Sequence, residues 1–115
     1  MVRLLLRLEG LAVFAVAAYG YGATGAGWGW FALLFLAPDL ALAGYLAGPR
    51  VGSLTYNLVH TYALAAALLG AGWLGRVPLL VAAGCLLAAH IGADRALGFG
   101  LKYPAAFRDT HIQRV

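Results

Sequence analysis

Ionisable residues lie inside long apolar runs of this sequence. Of the four acidic residues, Glu9, Asp39 and Asp94 are embedded in such runs, as are the histidines His60 and His90. A carboxylate in hydrocarbon costs about 2.5–3.5 kcal/mol on insertion scales, and it normally faces a protein interior or a watery cavity. We therefore interpret these residues as the mark of a functional site within the membrane.

The spacing of these residues groups them on helix faces. His90 and Asp94 are four residues apart, and Asn57 and His60 are three apart, so each pair would share one face of a helix. Histidine and carboxylate groups held together in this way can share a metal ion or a proton. The predicted catalytic set is Glu9, Asp39, Asn57, His60, His90 and Asp94.

Two chemistries fit this set, and the sequence does not decide between them. In the first, His60, His90 and Asp94 bind a divalent metal such as zinc, with Glu9 or Asp39 as the fourth ligand or the base. In the second, the same groups act as acid and base without a metal. The reactions that fit are hydrolysis, isomerisation or cyclisation of a lipophilic substrate.

The elements that must position these groups are membrane helices. The chain has 115 residues, of which 63% are hydrophobic and 10% charged, against about 45–50% and about 25% in soluble domains. Four apolar stretches, at about 4–22, 28–48, 51–74 and 77–101, are long enough to cross a bilayer. Short links make neighbours antiparallel, which predicts an all-α, antiparallel four-helix bundle as one transmembrane domain over 1–115, with a tail at 102–115.

The basic residues predict the orientation of this bundle. Seven of the eight fall on one side of the topology, and only Arg76 falls on the other. The positive-inside rule then places both termini in the cytoplasm and the chain in the inner membrane. Trp28, Trp30 and Trp73, with Tyr19 and Tyr21, are expected to form an interfacial belt on the opposite side.

In this topology every helix brings a polar group to the cytoplasmic half. Asp39 and His60 would both lie roughly 14 Å from the cytoplasmic ends of their helices. Pro38 directly precedes Asp39, and a proline inside a helix is expected to kink it and widen the bundle at this acid.

Three basic residues would ring the mouth of such a site. Arg50, Arg95 and Lys102 are predicted to bind an anionic substrate headgroup. The expected partners are the bilayer and a lipid or lipophilic small molecule; nothing in the basic pattern predicts nucleic-acid binding. The GxxxG step from Gly44 to Gly48 makes a homodimer plausible. The sequence assigns no role to the tail residues Asp109 and His111, and it identifies no cofactor beyond the candidate divalent metal.

Several strings occur together in a recognisable set. They include Leu36-Ala37-Pro38-Asp39-Leu40, Tyr56-Asn57-Leu58-Val59-His60 and His90-Ile91-Gly92-Ala93-Asp94-Arg95. With this set the chain resembles DUF4260, an uncharacterised family of small four-helix bacterial membrane proteins, over nearly its whole length. The resemblance implies a four-helix membrane protein and no activity. A membrane enzyme is therefore the first expectation, with a small proton- or cation-coupled transporter as the alternative and a structural assembly protein as the second.

Overall fold

The chain folds into helices. The computed structural model describes residues 1–101 and 110–114. In chain order the helices are α1 (Val2–Thr24), α2 (Trp28–Leu34), a 3₁₀ helix (Ala37–Ala47), α3 (Pro49–Val59), α4 (Tyr62–Leu74), α5 (Pro78–Leu97) and α6 (His111–Arg114). Three helical stretches are long and apolar enough to cross a membrane, namely Trp28–Ala47, Pro49–Leu74 and Pro78–Leu97. The all-helical prediction is confirmed.

Helix α5 is the centre of the fold and packs against both α1 and α4. Every residue of α5 from Gly84 to Gly92 is buried. At the crossing with α1, a Cβ atom added to Gly92 would lie 2.6 Å from the carbonyl oxygen of Gly10 and from the amide nitrogen of Phe14. Only glycine permits this close approach of two backbones, so Gly92 sets the distance between α1 and α5.

The 3₁₀ helix packs against α3 and forms a second group. No residue of the 3₁₀ helix is buried. Gly48 joins the two elements with φ of 116°, a left-handed value that glycine tolerates best. Gly44 faces the side chain of Thr55 in α3. In the GxxxG step, Gly44 thus makes a helix contact within the chain and Gly48 forms a turn.

The two chain ends meet at one end of the fold. Arg3 in α1 donates from Nε to the carbonyl oxygen of Ile112 at 3.0 Å and from Nη2 to that of Gln113 at 2.8 Å. Arg7 donates to the carbonyl oxygen of Ala96 near the end of α5 at 2.9 Å. Arginine side chains therefore satisfy carbonyl groups at helix C-termini, which also suits the helix dipole.

Two of the long apolar stretches are interrupted; an interruption near Pro38 was expected, and the one at His60 was not. The second stretch leaves α-helical geometry after Leu34 and continues as the 3₁₀ helix from Ala37. The third stops at His60 and restarts at Tyr62, because the Thr61 side chain caps the new helix. The predicted aromatic belt needs one correction as well: Tyr21 is buried, where its hydroxyl donates to the carbonyl oxygen of Gly27 at 2.7 Å.

Candidate metal centre

The break in the helix at Pro38 leaves a backbone carbonyl oxygen free to accept a hydrogen bond from a histidine of α5. Proline cannot donate a backbone hydrogen bond, and the amide of Asp39 bonds to the carbonyl oxygen of Leu36, three residues back, at 3.0 Å. In an α-helix this amide would bond to Phe35. The carbonyl oxygen of Phe35 instead accepts a hydrogen bond from Nδ1 of His90 at 2.6 Å.

The break at His60 has a similar effect. Nδ1 of His60 donates to the carbonyl oxygen of Tyr56 at 2.9 Å. The amide of Leu64 bonds to the carbonyl oxygen of Thr61, so the carbonyl oxygen of His60 has no α-helical partner. Nη2 of Arg95 donates to it at 2.9 Å. Each break therefore lets a backbone carbonyl hold a side chain from another part of the fold.

These hydrogen bonds fix the tautomers of the two histidines. A carbonyl oxygen only accepts, so Nδ1 of both His60 and His90 must carry a proton. In the neutral rings the Nε2 atoms then carry lone pairs, and they face each other at 3.1 Å. Both rings are buried. Two lone pairs at this distance repel unless a cation lies between them.

Two carboxylates complete the group of atoms around this point. Oδ1 of Asp39 lies 3.2 Å from each Nε2 atom. Oδ2 of Asp94 lies 3.4 Å from Nε2 of His60 and 3.2 Å from Nε2 of His90. All four ligand atoms lie within 4.8 Å of one another. A tetrahedral zinc ion with ligand distances of about 2.0–2.1 Å requires separations of about 3.3–3.4 Å, which these residues approach.

Aromatic groups hold the histidine rings in place. The ring of Tyr56 is stacked on His60, with centroids 3.7 Å apart and planes at 9°. Its hydroxyl lies 3.4 Å from Oδ2 of Asp94. The ring of Phe35 contacts His90 edge to face at 5.3 Å. Contacts of this kind orient metal ligands, so the arrangement is organised beyond the four candidate ligands.

The site is accessible mainly on the side of Asp39. The side chain of Asp39 is 39% exposed and that of Asp94 is 16% exposed, while both histidines are enclosed. An apolar cavity of about 350 Å³ lies beside it. Pro38 and Val59, the chain neighbours of Asp39 and His60, line this cavity together with Leu86 and Leu87 of α5.

The other residues predicted for the site have different positions. Glu9 is exposed on α1 and lines a separate cavity of about 290 Å³. Asn57 is half-buried in α3, one turn before His60. The sequence had left Glu9 and Asp39 open as the fourth ligand, and the structure brings Asp39 to His60, His90 and Asp94.

Of the predicted headgroup-binding residues, the structure describes Arg50 and Arg95, which differ in burial. Arg50 is exposed at the start of α3, and Arg95 is buried in α5. Lys102 and Asp109 lie outside the described residues. Sequence reasoning expected Pro38 to disturb the helix and free a backbone carbonyl, but it did not identify the carbonyl groups of Phe35 and Tyr56 as the partners of the histidines.

The comparisons with known proteins give a family and no activity. A family model described as a domain of unknown function, DUF4260, matches residues 3–115. No curated protein and no solved structure matches the chain. The function has to be inferred from the site itself.

Proposed function

Since the chain belongs to the DUF4260 family, whose description assigns no activity, we propose a function from its site geometry. The protein is an integral membrane metalloenzyme. Asp39, His60, His90 and Asp94 bind one divalent transition-metal ion, with zinc as the best match, and the reaction is hydrolysis of a lipophilic substrate.

The observation that carries this proposal is the pair of facing Nε2 atoms. Both Nδ1 atoms donate hydrogen bonds to carbonyl oxygens, so in the neutral rings of His60 and His90 the Nε2 lone pairs are directed at the same point. A single proton could bridge one pair of these atoms. One proton cannot bridge all five close contacts of 3.1–3.4 Å, which join the two Nε2 atoms to each other and to the carboxylates of Asp39 and Asp94. A central cation serves all of them.

The type of ligand narrows the choice of metal. Two imidazole nitrogens with two carboxylate oxygens suit zinc and its transition-metal neighbours, whereas magnesium and calcium prefer oxygen-only sites. Four ligand atoms near tetrahedral spacing favour zinc among them. The bound ion would supply a water of lowered pKa and a Lewis acid for a carbonyl or phosphoryl group.

Catalysis also needs an open coordination position. Asp39 is the ligand best placed to provide it, because its side chain is the most exposed of the four and its helix has no buried residue. We infer that Asp39 would be the most weakly held of the four ligands and that its carboxylate could accept a proton as general base. His60, His90 and Asp94 would remain as three fixed ligands, as the sequence predicted.

The surroundings of the site favour a lipophilic substrate. The apolar cavity beside Asp39 is lined by residues from α2 and α5 as well as by Pro38 and Val59. Three stretches of the chain can cross a membrane. A substrate with an acyl or similar chain would place that chain in the cavity and its polar bond at the metal.

For the membrane topology we propose an antiparallel four-helix bundle in the inner membrane with both termini in the cytoplasm. The contact of Arg3 with Ile112 and Gln113 supports termini on one side, and the one-sided distribution of basic residues supports the orientation. In a Cys85→Ala background, Leu74→Cys should react with an impermeant thiol reagent in intact cells and Arg114→Cys should not. The reverse pattern would contradict this topology.

The test of the metal uses the purified protein in a mild detergent. Elemental analysis should find about one zinc ion per chain, and His90→Ala should lose it. The matched control is His111→Ala, because His111 is the one histidine outside the site. Equal zinc content in wild-type protein and His90→Ala would refute the metal site.

The test of the reaction uses a panel of lipid esters, amides and phosphodiesters in mixed micelles. A chelator should abolish hydrolysis and zinc should restore it. The control Arg76→Gln, at an exposed residue that lines neither cavity, should keep the activity. Hydrolysis that survives complete metal removal would favour metal-free acid–base chemistry by the same four residues.

Transport of the same ion is a second candidate. It is favoured by the origin of the ligands, since Asp39 and His60 belong to the 3₁₀–α3 group and His90 and Asp94 belong to α5. Relative movement of the two groups would release the ion. Zinc uptake by proteoliposomes that depends on His90, without hydrolysis of any lipid in the panel, would favour transport over catalysis.

A further inference from the structure

A second cavity adjoins the candidate metal centre, since Thr61 and Arg95, the chain neighbours of His60 and Asp94, line it. It has a volume of about 290 Å³ and lies between α1, the start of α4, the end of α5 and the C-terminal segment. Among the described residues its polar lining consists of Glu9, Thr61, Tyr62, Arg95 and His111. None of these five belongs to the group of candidate metal ligands.

Arg95 is the most unusual residue of this cavity. It is only 5% exposed, and a guanidinium group keeps its charge at any physiological pH. Two of its five N–H donors bond to carbonyl oxygens, one to Phe99 and one to His60, each at 2.9 Å. Its guanidinium carbon lies 5.8 Å from the centre of the Tyr62 ring.

No carboxylate in the described part of the chain forms a salt bridge with Arg95. The adjacent Asp94 directs its Oδ2 atom toward the two histidine Nε2 atoms instead. A buried charge without a counterion is strongly unfavourable. Within the described residues only two of the five donors of this guanidinium are used, so Arg95 at the wall of the cavity is a binding group for an anion.

His111 adds a neutral donor to the same cavity. The amide of Leu101 donates to Nδ1 of His111 at 2.8 Å, so the proton of the neutral ring is on Nε2. Burial, followed by the nearby positive charge of Arg95, lowers the pKa of His111. The ring is thus a neutral N–H donor at physiological pH, and it adds no charge to the cavity.

We propose that this cavity is a second binding site and that it takes a phosphate group. Arg95 provides the charge and two-pronged hydrogen bonding that phosphate binding uses, and His111 and Tyr62 provide neutral donors. The exposed carboxylate of Glu9 at the same cavity disfavours a second negative charge. A singly charged phosphodiester, as in a lipid headgroup, therefore fits better than the inorganic dianion.

The experiment measures binding of two probes to the full-length protein in dodecyl maltoside by isothermal titration calorimetry. The probes are dihexanoyl phosphatidylethanolamine and inorganic phosphate. Wild-type protein should bind the lipid more tightly. Arg95→Gln should weaken lipid binding by about tenfold or more, as loss of a charged hydrogen bond does. The control Arg76→Gln removes an exposed arginine that does not line the cavity, and it should leave binding unchanged.

Glu9→Gln keeps the proposal testable even if Arg95→Gln fails to fold, because Glu9 is exposed. This variant should bind inorganic phosphate several-fold more tightly than wild-type protein does. The ratio of its affinity for the lipid to its affinity for inorganic phosphate should therefore be smaller. Tighter binding of inorganic phosphate than of the lipid in wild-type protein would identify free phosphate as the natural source. The proposal is overturned if wild-type protein binds neither probe, if Arg76→Gln loses as much lipid binding as Arg95→Gln, or if Glu9→Gln changes the binding of neither probe.

Discussion

Two regions of this molecule contribute equally to the candidate metal centre but are packed very differently. His90 and Asp94 lie on α5, which is buried between α1 and α4. Asp39 and His60 belong to the group formed by the 3₁₀ helix and α3, and the 3₁₀ helix has no buried residue. A bound ion would link the weakly packed group to the core, so its binding energy would add to the stability of that group.

The regions also differ in how they present their ligands. The α5 pair comes from an unbroken helix at a spacing of four residues, so both side chains lie on one face. The ligands of the other group lie in the 3₁₀ helix and at the end of α3, next to backbone breaks. One region offers two fixed ligands, and the other offers the enclosed His60 together with Asp39, which is exposed and can move.

The largest expected effect comes from removing a ligand of the fixed pair. His90→Ala should lower zinc affinity by more than about a hundredfold, beyond the loss expected for an outer-shell partner. Asp39→Asn should lower the zinc affinity less, by about tenfold, because the amide oxygen can still act as a ligand and three fixed ligands remain. Competition with a fluorescent zinc chelator measures both values.

His111→Ala is the control for both variants, since His111 lies outside the site. If Asp39→Asn weakened zinc binding as much as His90→Ala, Asp39 would not be the mobile ligand that we infer. If neither variant changed the affinity, zinc would bind elsewhere.

Much of this contrast could be predicted from the sequence, for a physical reason. The pairing of His90 with Asp94 depends only on helix periodicity, and the burial of polar groups follows from their apolar surroundings. Pro38 also predicts a disturbance of the helix at Asp39. The helical nature of the chain and the membership of these residues in one site were therefore accessible.

The break after α3 could not be predicted in the same way. The stretch around His60 and Thr61 contains no proline or glycine, so its local sequence reads as continuous helix. The carbonyl of His60 is held by Arg95, which is distant in sequence. The exposure of Glu9 likewise depends on how α1 packs on α5, which hydrophobic periodicity alone does not specify.

A second prediction compares glycine contacts in the two regions. Gly92→Ala should destabilise the protein by about 1–3 kcal/mol, because its Cβ would meet backbone atoms of α1 that cannot move independently. Gly44→Ala should cost less, because its Cβ would meet the Thr55 side chain, which can rotate at the expense of its hydrogen bond to Ala41. Thermal unfolding in detergent ranks the two variants. A larger loss from Gly44→Ala would show that the 3₁₀ helix is packed more firmly than its exposure indicates.

The smallest effect is expected at the contact between the two regions that Tyr56 makes. Its ring stacks on His60 of its own helix, and its hydroxyl lies 3.4 Å from Oδ2 of Asp94 in α5. Tyr56→Phe keeps the stacked ring and removes only the hydroxyl. Because that distance is long for an O–H···O bond, zinc affinity should fall by no more than about tenfold, the low end for outer-shell partners. Tyr62→Phe, a tyrosine of the second cavity, is the matched control and should leave zinc binding unchanged. A loss at Tyr56→Phe as large as that of His90→Ala would mean that the hydroxyl itself binds the metal, and the assignment of four ligands would have to be revised.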